Sequence, residues 1–452
     1  MYQSEISLLS LTENGTFKSI LAVNGVESGE TASLTVEDKY LPGEFVLRFD
    51  YIDNRNTPFP TEKRLLIGNQ DLELWVNPKY CNNTDSTRFQ PGELENNTYM
   101  AFAEESFRQK EKIALLQDFL MNYDDTKSKF YKRGIREYEK RRQSYIQWLT
   151  GRIKEDSKLF ASCLYGFQYI PSMKWEGSER ERAISVIDHY FDRADLTDPS
   201  VIRTSQMTQW IDDYVNLHGQ MATTVALRDS LFPEAARKAI EKARKGNPEV
   251  YGWMVDYFYR GFEVNNIPAG MKVLEPYLND RACLTSKRKE IELRLKGMET
   301  LVAGSKAPDI ELMDTDGKQF SLYADYPSSP YILLFFWSAD CSHCKEIVAN
   351  LYPWQQQPEI NRQISVVAIS LDETESEIIA WQNTAKNYNK WIHLRAEEGV
   401  RSKVAADYFI LSTPQMILLD TGTKEIIDLP GTLPELKAIV QPGSITANKE
   451  VQ

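Results

Sequence analysis

The sequence predicts a multidomain α/β protein, in which a small antiparallel β domain and a large all-α domain precede a C-terminal α/β domain. Three observations predict this order. A period of two dominates the first 78 residues, a helical period dominates from about 97 to 298, and strand and helix patterns alternate after 300. We therefore expect domains at 1–96, 97–300 and 301–440, followed by a tail at 441–452.

The β domain is predicted from strands that have one apolar face. Phe45, Leu47, Phe49 and Tyr51 recur at every second position, which places their side chains on the same side of a strand. Leu72, Leu74 and Val76 repeat the pattern, and Pro42-Gly43 supplies turn residues. A half-buried antiparallel sheet follows from this pattern.

The middle of the chain is predicted to hold seven to nine helices without a repeat of fixed period. Ser178 and Glu181 have the spacing of a capping box at a helix N-terminus. Pro248 is expected to open one helix and Pro233 another, because proline is favoured in the first turn of a helix.

Composition limits the classes of partner. The net charge of −12 and the pI near 5.1 argue against nucleic acid and anionic membranes as partners. No apolar stretch reaches the ~20 residues that a membrane-spanning helix needs, so no transmembrane segment is expected.

The chemistry of the chain is predicted to lie in a C-x-x-C motif. Cys341 and Cys344 directly follow the most apolar run of the chain, Tyr331–Phe336, and precede residues with helical spacing. A thiol at a helix N-terminus is favoured as the thiolate by the unpaired N–H groups and the helix dipole. We expect Cys341 to attack a disulfide and Cys344, one turn inside, to be the resolving thiol. A half zinc site would need a second pair of ligands, which the sequence lacks, so no metal is expected.

The other three cysteines, Cys81, Cys163 and Cys283, form no visible disulfide framework, since an odd number cannot all be paired. Cys163 lies in an apolar context and is expected to be a buried thiol.

Three motifs in the C-terminal part, in this order, resemble the TlpA/ResA-like thioredoxin domains. They are the segment from Gly304-Ser305-Lys306-Ala307-Pro308 to Phe320-Ser321-Leu322, the strand with Phe336-Trp337 and C-x-x-C, and Ser412-Thr413-Pro414. The resemblance covers about 301–440 and implies a thioredoxin-like fold. Residues 1–100 resemble the small β domain that precedes such domains in modular envelope proteins of Gram-negative bacteria.

The resemblance implies a thiol–disulfide oxidoreductase that reduces or isomerises protein disulfides with no cofactor beyond the Cys341–Cys344 pair. Its partners would be disulfide-containing proteins and a thiol reductant or membrane electron donor. Thr413 and Pro414 would form the cis-proline loop, in which the Thr413 backbone pairs with an extended substrate. Trp337 and His343 are expected to contact the substrate as well. We expect His343 to favour the Cys341 thiolate and Asp340 to oppose it.

The sequence departs from the thioredoxin pattern at three positions. Phe335 stands where a buried acid usually accepts the proton of the second cysteine, Ala349 where a helix-kinking proline usually follows, and Asp340 where a tryptophan usually precedes the first cysteine. Another group must therefore take the proton from Cys344, and Glu346 or water in the cleft are equal candidates.

The first residues have neither the basic nor the apolar region of a signal peptide, so either the protein is cytosolic or a signal peptide has been removed and Met1 added. The resemblance favours the second, a periplasmic or outer-membrane-anchored protein. Two alternative functions stay open. In one, the helical domain binds a partner and the thioredoxin unit is accessory. The other is a thiol peroxidase, which is disfavoured because no proline stands seven residues before Cys341 and the second cysteine has C-x-x-C spacing.

Overall fold

The structure, a computed structural model, describes residues 3–12, 15–52, 58–68, 70–265, 267–325 and 329–441. Met1 and all of the predicted tail except Gln441 lie outside these ranges. The chain forms two compact units, one of residues 1–260 with 279–286 and the other of residues 261–278 with 287–452. Within the described ranges no helix is both long and apolar enough to cross a bilayer.

The first unit begins with a four-stranded antiparallel sheet, as the period-two pattern predicts. The strands are β1 Gln3–Leu11, β2 Phe17–Glu27, β3 Gly43–Ile52 and β4 Pro58–Ile67, in the order β2-β1-β3-β4. Phe45, Leu47 and Phe49 of β3 lie in one buried cluster with Leu8 and Leu65. A second hairpin follows, with β5 Leu74–Val76 and β6 Thr87–Phe89.

The described residues between this sheet and the C-terminal sheet contain eight α-helices, within the predicted seven to nine. They are α1 Glu95–Asn122, α2 Lys129–Glu155, α3 Glu179–Asp188, α4 Ser205–Gly219, α5 Val225–Ala243, α6 Pro248–Val264, α7 Pro268–Leu278 and α8 Arg288–Thr300. The capping box of Ser178 and Glu181 is present, and Pro248 opens α6. The predicted helix start at Pro233 is wrong. Helix α5 begins eight residues earlier, because the side chain of Thr224 caps it by accepting from Leu227 N–H, and Pro233 lies buried inside the helix.

The second unit is built on a five-stranded mixed sheet. Its strands are β9 Tyr331–Trp337, β10 Ile364–Ser370, β11 Ile392–Arg395, β12 Gln415–Asp420 and β13 Ile426–Asp428, after a small hairpin of β7 Glu311–Met313 and β8 Gln319–Ser321. The order is β11-β10-β9-β12-β13; β9, β10 and β11 run parallel, while β12 and β13 are antiparallel to their neighbours. The helices are α9 Ser342–Gln355, α10 Pro358–Asn361, α11 Glu375–Asn387, α12 Lys403–Asp407 and α13 Leu433–Val440.

Apolar residues cover both faces of this sheet, which explains the unbroken apolar run of β9. Leu333 and Phe335 belong to the cluster on one face together with Cys344, and Leu334 and Phe336 belong to the cluster on the other. The sequence pattern therefore predicted the central strand correctly. It missed β11, a four-residue strand at the edge of the sheet.

The predicted fold class is confirmed: an antiparallel sheet, a helical region and a mixed C-terminal sheet follow one another. The boundary between the two compact units falls inside α6. The last turn of that helix, with α7 and α8, therefore groups with the C-terminal sheet. The predicted domain limits at 96, 300 and 440 stay predictions.

Candidate active site

The cysteine pair lies where the central strand passes into a helix. Strand β9 ends at Trp337, a short loop follows, and α9 begins at Ser342 with Cys341 as its N-cap. Cys341 has extended backbone angles and its Sγ accepts a hydrogen bond from Cys344 N–H at 3.3 Å. A sulfur in this position occupies the place of a capping oxygen and faces the positive end of the helix dipole. This geometry stabilises negative charge on the Cys341 sulfur.

The two thiols differ in exposure. Cys341 is half-buried and Cys344 is fully buried, and both are free thiols in the structure. Burial, and next the hydrogen bond with Cys341, raise the pKa of the Cys344 thiol to about 12. An incoming disulfide can therefore reach Cys341 first, while Cys344 keeps its proton at neutral pH. The roles predicted for Cys341 as the attacking thiol and Cys344 as the resolving thiol stay predictions.

A second loop brings the main chain of Thr413 close to the Cys341 sulfur. The Thr413–Pro414 peptide bond is cis, and β12 begins at the next residue. Cys341 Sγ lies 3.8 Å from the carbonyl oxygen of Thr413. Thr413 and Pro414 are both half-buried, so part of this loop is accessible beside Cys341.

A buried carboxylate, which the sequence analysis did not identify, holds the loop that leads to Cys341. Asp372 lies just beyond the end of β10 and is 1% exposed. One of its oxygens, Oδ1, accepts from Ser338 Oγ at 2.6 Å; the other, Oδ2, accepts from Ala339 N–H at 3.0 Å and from Ser370 Oγ at 2.7 Å. Asp372 thus fixes Ser338 and Ala339, the two residues that directly follow β9.

The signal for Asp372 was present in the sequence. Parallel strands that neighbour each other have their carboxyl ends at the same edge of the sheet. Asp372 follows the largely apolar run Ile364–Ser370 by two residues, and β10 pairs with β9 so that Ser370 stands opposite Trp337. A polar group at that end of the neighbouring strand was therefore a candidate contact of the C-x-x-C loop.

The predicted polar residues around the pair lie at the surface. His343 and Glu346 are exposed near the start of α9, and Asp340 is exposed with its carboxylate 3.8 Å from Lys345 Nζ. Because both charged groups of that pair are largely hydrated, it contributes little to stability. The roles predicted for His343 and Glu346 stay predictions.

Trp337 is buried, with 1% of its surface exposed, in the same apolar cluster as Cys344 and Phe335. A direct contact with a substrate would need this ring to become accessible, so the binding role of Trp337 also stays a prediction. Phe335 is fully buried and occupies the position at which thioredoxins usually have a proton-accepting acid. Among the described residues, an aromatic group that includes Trp391 continues this cluster.

The remaining three cysteines are free thiols that lie outside the C-x-x-C motif. Cys81 and Cys283 are buried, and burial, followed by the charge of Asp198, raises the pKa of Cys163 to about 12. At neutral pH the Cys163 thiol therefore has little thiolate. In the described ranges, no group of three or more His, Cys, Asp or Glu side chains is arranged to hold a metal ion.

Comparison with known proteins agrees with the fold of the C-terminal part. Residues 329–425 match a family described as thioredoxin-like, and this stretch contains the Cys341–Cys344 motif and the Thr413–Pro414 loop. The C-terminal part of the chain therefore contains a thioredoxin-like domain. No curated protein matches the chain.

Several solved structures are similar to the chain. A thioredoxin-like protein from Bacteroides caccae is 21% identical, with 61% of this chain and 98% of that chain covered and a TM-score of 0.40. A thiol-disulfide oxidoreductase from Bacteroides fragilis is 27% identical, with 30% and 98% covered and a TM-score of 0.28. A thiol:disulfide interchange protein from a Bacteroides species is 23% identical, with 33% and 95% covered and a TM-score of 0.27.

Proposed function

We propose that this protein is a thiol–disulfide oxidoreductase that reduces or isomerises disulfides in other proteins through Cys341 and Cys344. One observation carries the proposal. An accessible sulfur caps a helix, accepts the N–H of a buried second cysteine at 3.3 Å, and faces the Thr413 carbonyl at 3.8 Å. Disulfide exchange needs these three features: a stabilised thiolate, a second thiol within reach, and a main chain beside them for an extended substrate.

The proposed reaction proceeds in two exchanges. The thiolate of Cys341 attacks one sulfur of the substrate disulfide, the S–S bond breaks, and the other substrate sulfur leaves as a thiolate. Cys344 then loses its proton and attacks the Cys341 sulfur of the mixed disulfide. The second substrate thiolate is released, and Cys341 and Cys344 are joined as a disulfide. The substrate gains two electrons, and the protein gives up two.

The proton of Cys344 controls the second exchange. Because burial raises the pKa of this thiol to about 12, it does not ionise by itself at neutral pH. We propose that water in the cleft or the exposed carboxylate of Glu346 accepts the proton once the mixed disulfide has formed. Glu346→Gln separates the two routes, since only the second route loses resolving rate in that variant.

The catalytic cycle needs a source of electrons that restores the two thiols. We propose a thiol reductant or a membrane electron donor for this step, and disulfide-containing proteins as substrates. The resemblance to TlpA/ResA-like domains supports a location in the cell envelope, the periplasm or the outer membrane. Alkylation of Cys341 in intact cells by a reagent that does not cross the inner membrane would test this location.

Reduction of insulin in the presence of dithiothreitol tests the proposed activity. We expect the wild-type protein to accelerate the precipitation of the reduced chains, and Cys341→Ser to return the rate to that of dithiothreitol alone. Cys163→Ser is the matched control, because it removes a thiol outside the site. Equal rates for the wild type and Cys341→Ser would contradict the proposal.

A further inference from the structure

The loop that carries Thr413 is tied to a helix far away in the sequence. Ser412, the residue before Thr413, donates its Oγ–H to Glu263 Oε1 at 3.1 Å, across 149 positions of the chain. Glu263 lies in the last turn of α6, and both residues belong to the second compact unit. The helical segment before the thioredoxin-like match therefore contacts the loop next to the reacting sulfur.

The position of Glu263 is electrostatically unfavourable by itself. Its side chain is only 11% exposed, and it lies at the C-terminal end of a helix, where the dipole disfavours a negative charge. Arg294 of α8 compensates for this charge as an ion-pair partner, since its Nε lies 3.2 Å from Glu263 Oε2, although not in hydrogen-bond geometry, and 17% of its side chain is exposed. A buried ion pair of this kind adds little net stability, because desolvation offsets the attraction. Stability alone therefore does not explain the pair.

Helix α8 also touches the segment leading into the loop. A Cβ on Gly297, one turn beyond Arg294, would lie 2.6 Å from Phe409 Cβ, so only glycine allows this approach. Phe409 has a φ of 51°, in the left-handed region, and lies three residues before Ser412. The helix backbone therefore limits how far the chain from Phe409 to Ser412 can move.

We propose that Glu263 and Arg294 are positioning residues for the substrate. They hold Ser412 in place, and Ser412 in turn fixes the main chain of Thr413. The Thr413 main chain is thereby kept at the distance from Cys341 that is needed to pair with an extended segment of a disulfide-containing protein. This inference rests on the proposed function and adds the residues that set its preference for protein substrates. A small disulfide reagent needs only the Cys341 sulfur, so its reaction does not depend on the Glu263 contact.

Two variants test the positioning role in the full-length protein. Ser412→Ala removes the hydroxyl that donates to Glu263 and leaves the ion pair intact; Glu263→Gln keeps an acceptor for Ser412 but removes the charge that faces Arg294. Glu292→Gln, an exposed carboxylate on the same helix as Arg294, is the control. Each protein is assayed with insulin and with dithiobis(nitrobenzoate), and its melting temperature is measured.

We expect Ser412→Ala to raise the KM for insulin roughly three- to tenfold, the range for the loss of one hydrogen bond, and to leave its kcat nearly unchanged. Glu263→Gln should raise the same KM by a similar or smaller factor. The rate with dithiobis(nitrobenzoate) should stay within roughly twofold of wild type in every variant. Glu292→Gln should match wild type with both substrates.

An unchanged KM for insulin in Ser412→Ala would overturn the positioning role, as would an equal loss of rate with both substrates. A failure of the proposed function looks different, because the wild type itself would then not reduce insulin. If Glu263→Gln melts at a much lower temperature, Ser412→Ala decides the question, since it deletes one half-buried hydroxyl and leaves no buried charge unpaired.

Discussion

The carboxylate of Asp372 should be a strong determinant of stability around the active-site loop. In Asp372→Ala the N–H of Ala339 and the hydroxyl of Ser370, both buried, lose their acceptor, whereas Ser338 is half-buried and can turn to water. Each buried donor without a partner costs about 1–3 kcal/mol, and relief of the desolvated carboxylate offsets part of this. We expect the free energy of unfolding to fall by about 2–4 kcal/mol.

Asp372→Asn should be much milder, at about 1 kcal/mol or less. Its remaining carbonyl oxygen can still accept from Ala339 and Ser370, and the hydroxyl of Ser338 can rotate to accept from the new amide. Asp316→Ala, at an exposed position in a turn, is the control and should change stability by less than about 0.5 kcal/mol.

Urea denaturation, followed by tryptophan fluorescence under reducing conditions, measures these differences. The rate at which iodoacetamide alkylates Cys341 reports on the loop at the same time, and should change in Asp372→Ala because Ser338 and Ala339 are no longer held. An Asp372→Ala protein as stable as the wild type would refute the reasoning. Equal losses in Asp372→Ala and Asp372→Asn would show that the charge matters and the hydrogen bonds do not.

Three further predictions concern the thiols and one glycine. Burial raises the pKa of Cys344 to about 12, above the value of about 8.5 in the unfolded chain. The free energy of unfolding of the dithiol protein should therefore fall as the pH rises between these two values. In urea titrations, Cys344→Ala should make the free energy of unfolding less dependent on pH over this range. Cys163, whose pKa is also raised to about 12, should be alkylated far more slowly than Cys341 at neutral pH, as peptide mass mapping would show; faster labelling of Cys163 would contradict this. Gly297→Ala should destabilise the protein by about 1–3 kcal/mol, because the new methyl group would clash with Phe409. Gly151→Ala, on a helix where the methyl group meets open space, should stabilise the protein by up to about 1 kcal/mol. Melting temperatures that move in the same direction in both variants would refute the close approach of Gly297 to Phe409.

Local patterns were enough to predict the elements that hold the cysteine pair. The apolar run of β9, the C-x-x-C spacing and the Ser-Thr-Pro loop are all short segments whose chemistry is readable without the fold. The alternation in β3 was equally clear, because the side chains of one face share a buried cluster. Because these features depend on residues that are neighbours in the sequence, they can be predicted from the sequence alone.

The features that were missed depend on contacts between distant segments. The edge strand β11 has only four residues, with His393 and Arg395 among them, so no apolar run marks it. Pro233 was expected at a helix start, but a cap at Thr224 placed it inside α5. The hydrogen bond between Ser412 and Glu263 joins residues 149 positions apart, and no local sequence pattern in either segment predicts it.

Trapping the mixed disulfide in Cys344→Ala tests the central claim most directly. Without the resolving thiol, the first exchange should stop with substrate bound to Cys341. After incubation with a disulfide-bonded peptide and an acid quench, mass spectrometry should find one peptide adduct, located on Cys341 and lost when Cys341 is also changed to serine. An adduct confined to Cys81, Cys163 or Cys283, or no adduct on Cys341 at all, would contradict the assignment of this pair as the site of disulfide exchange.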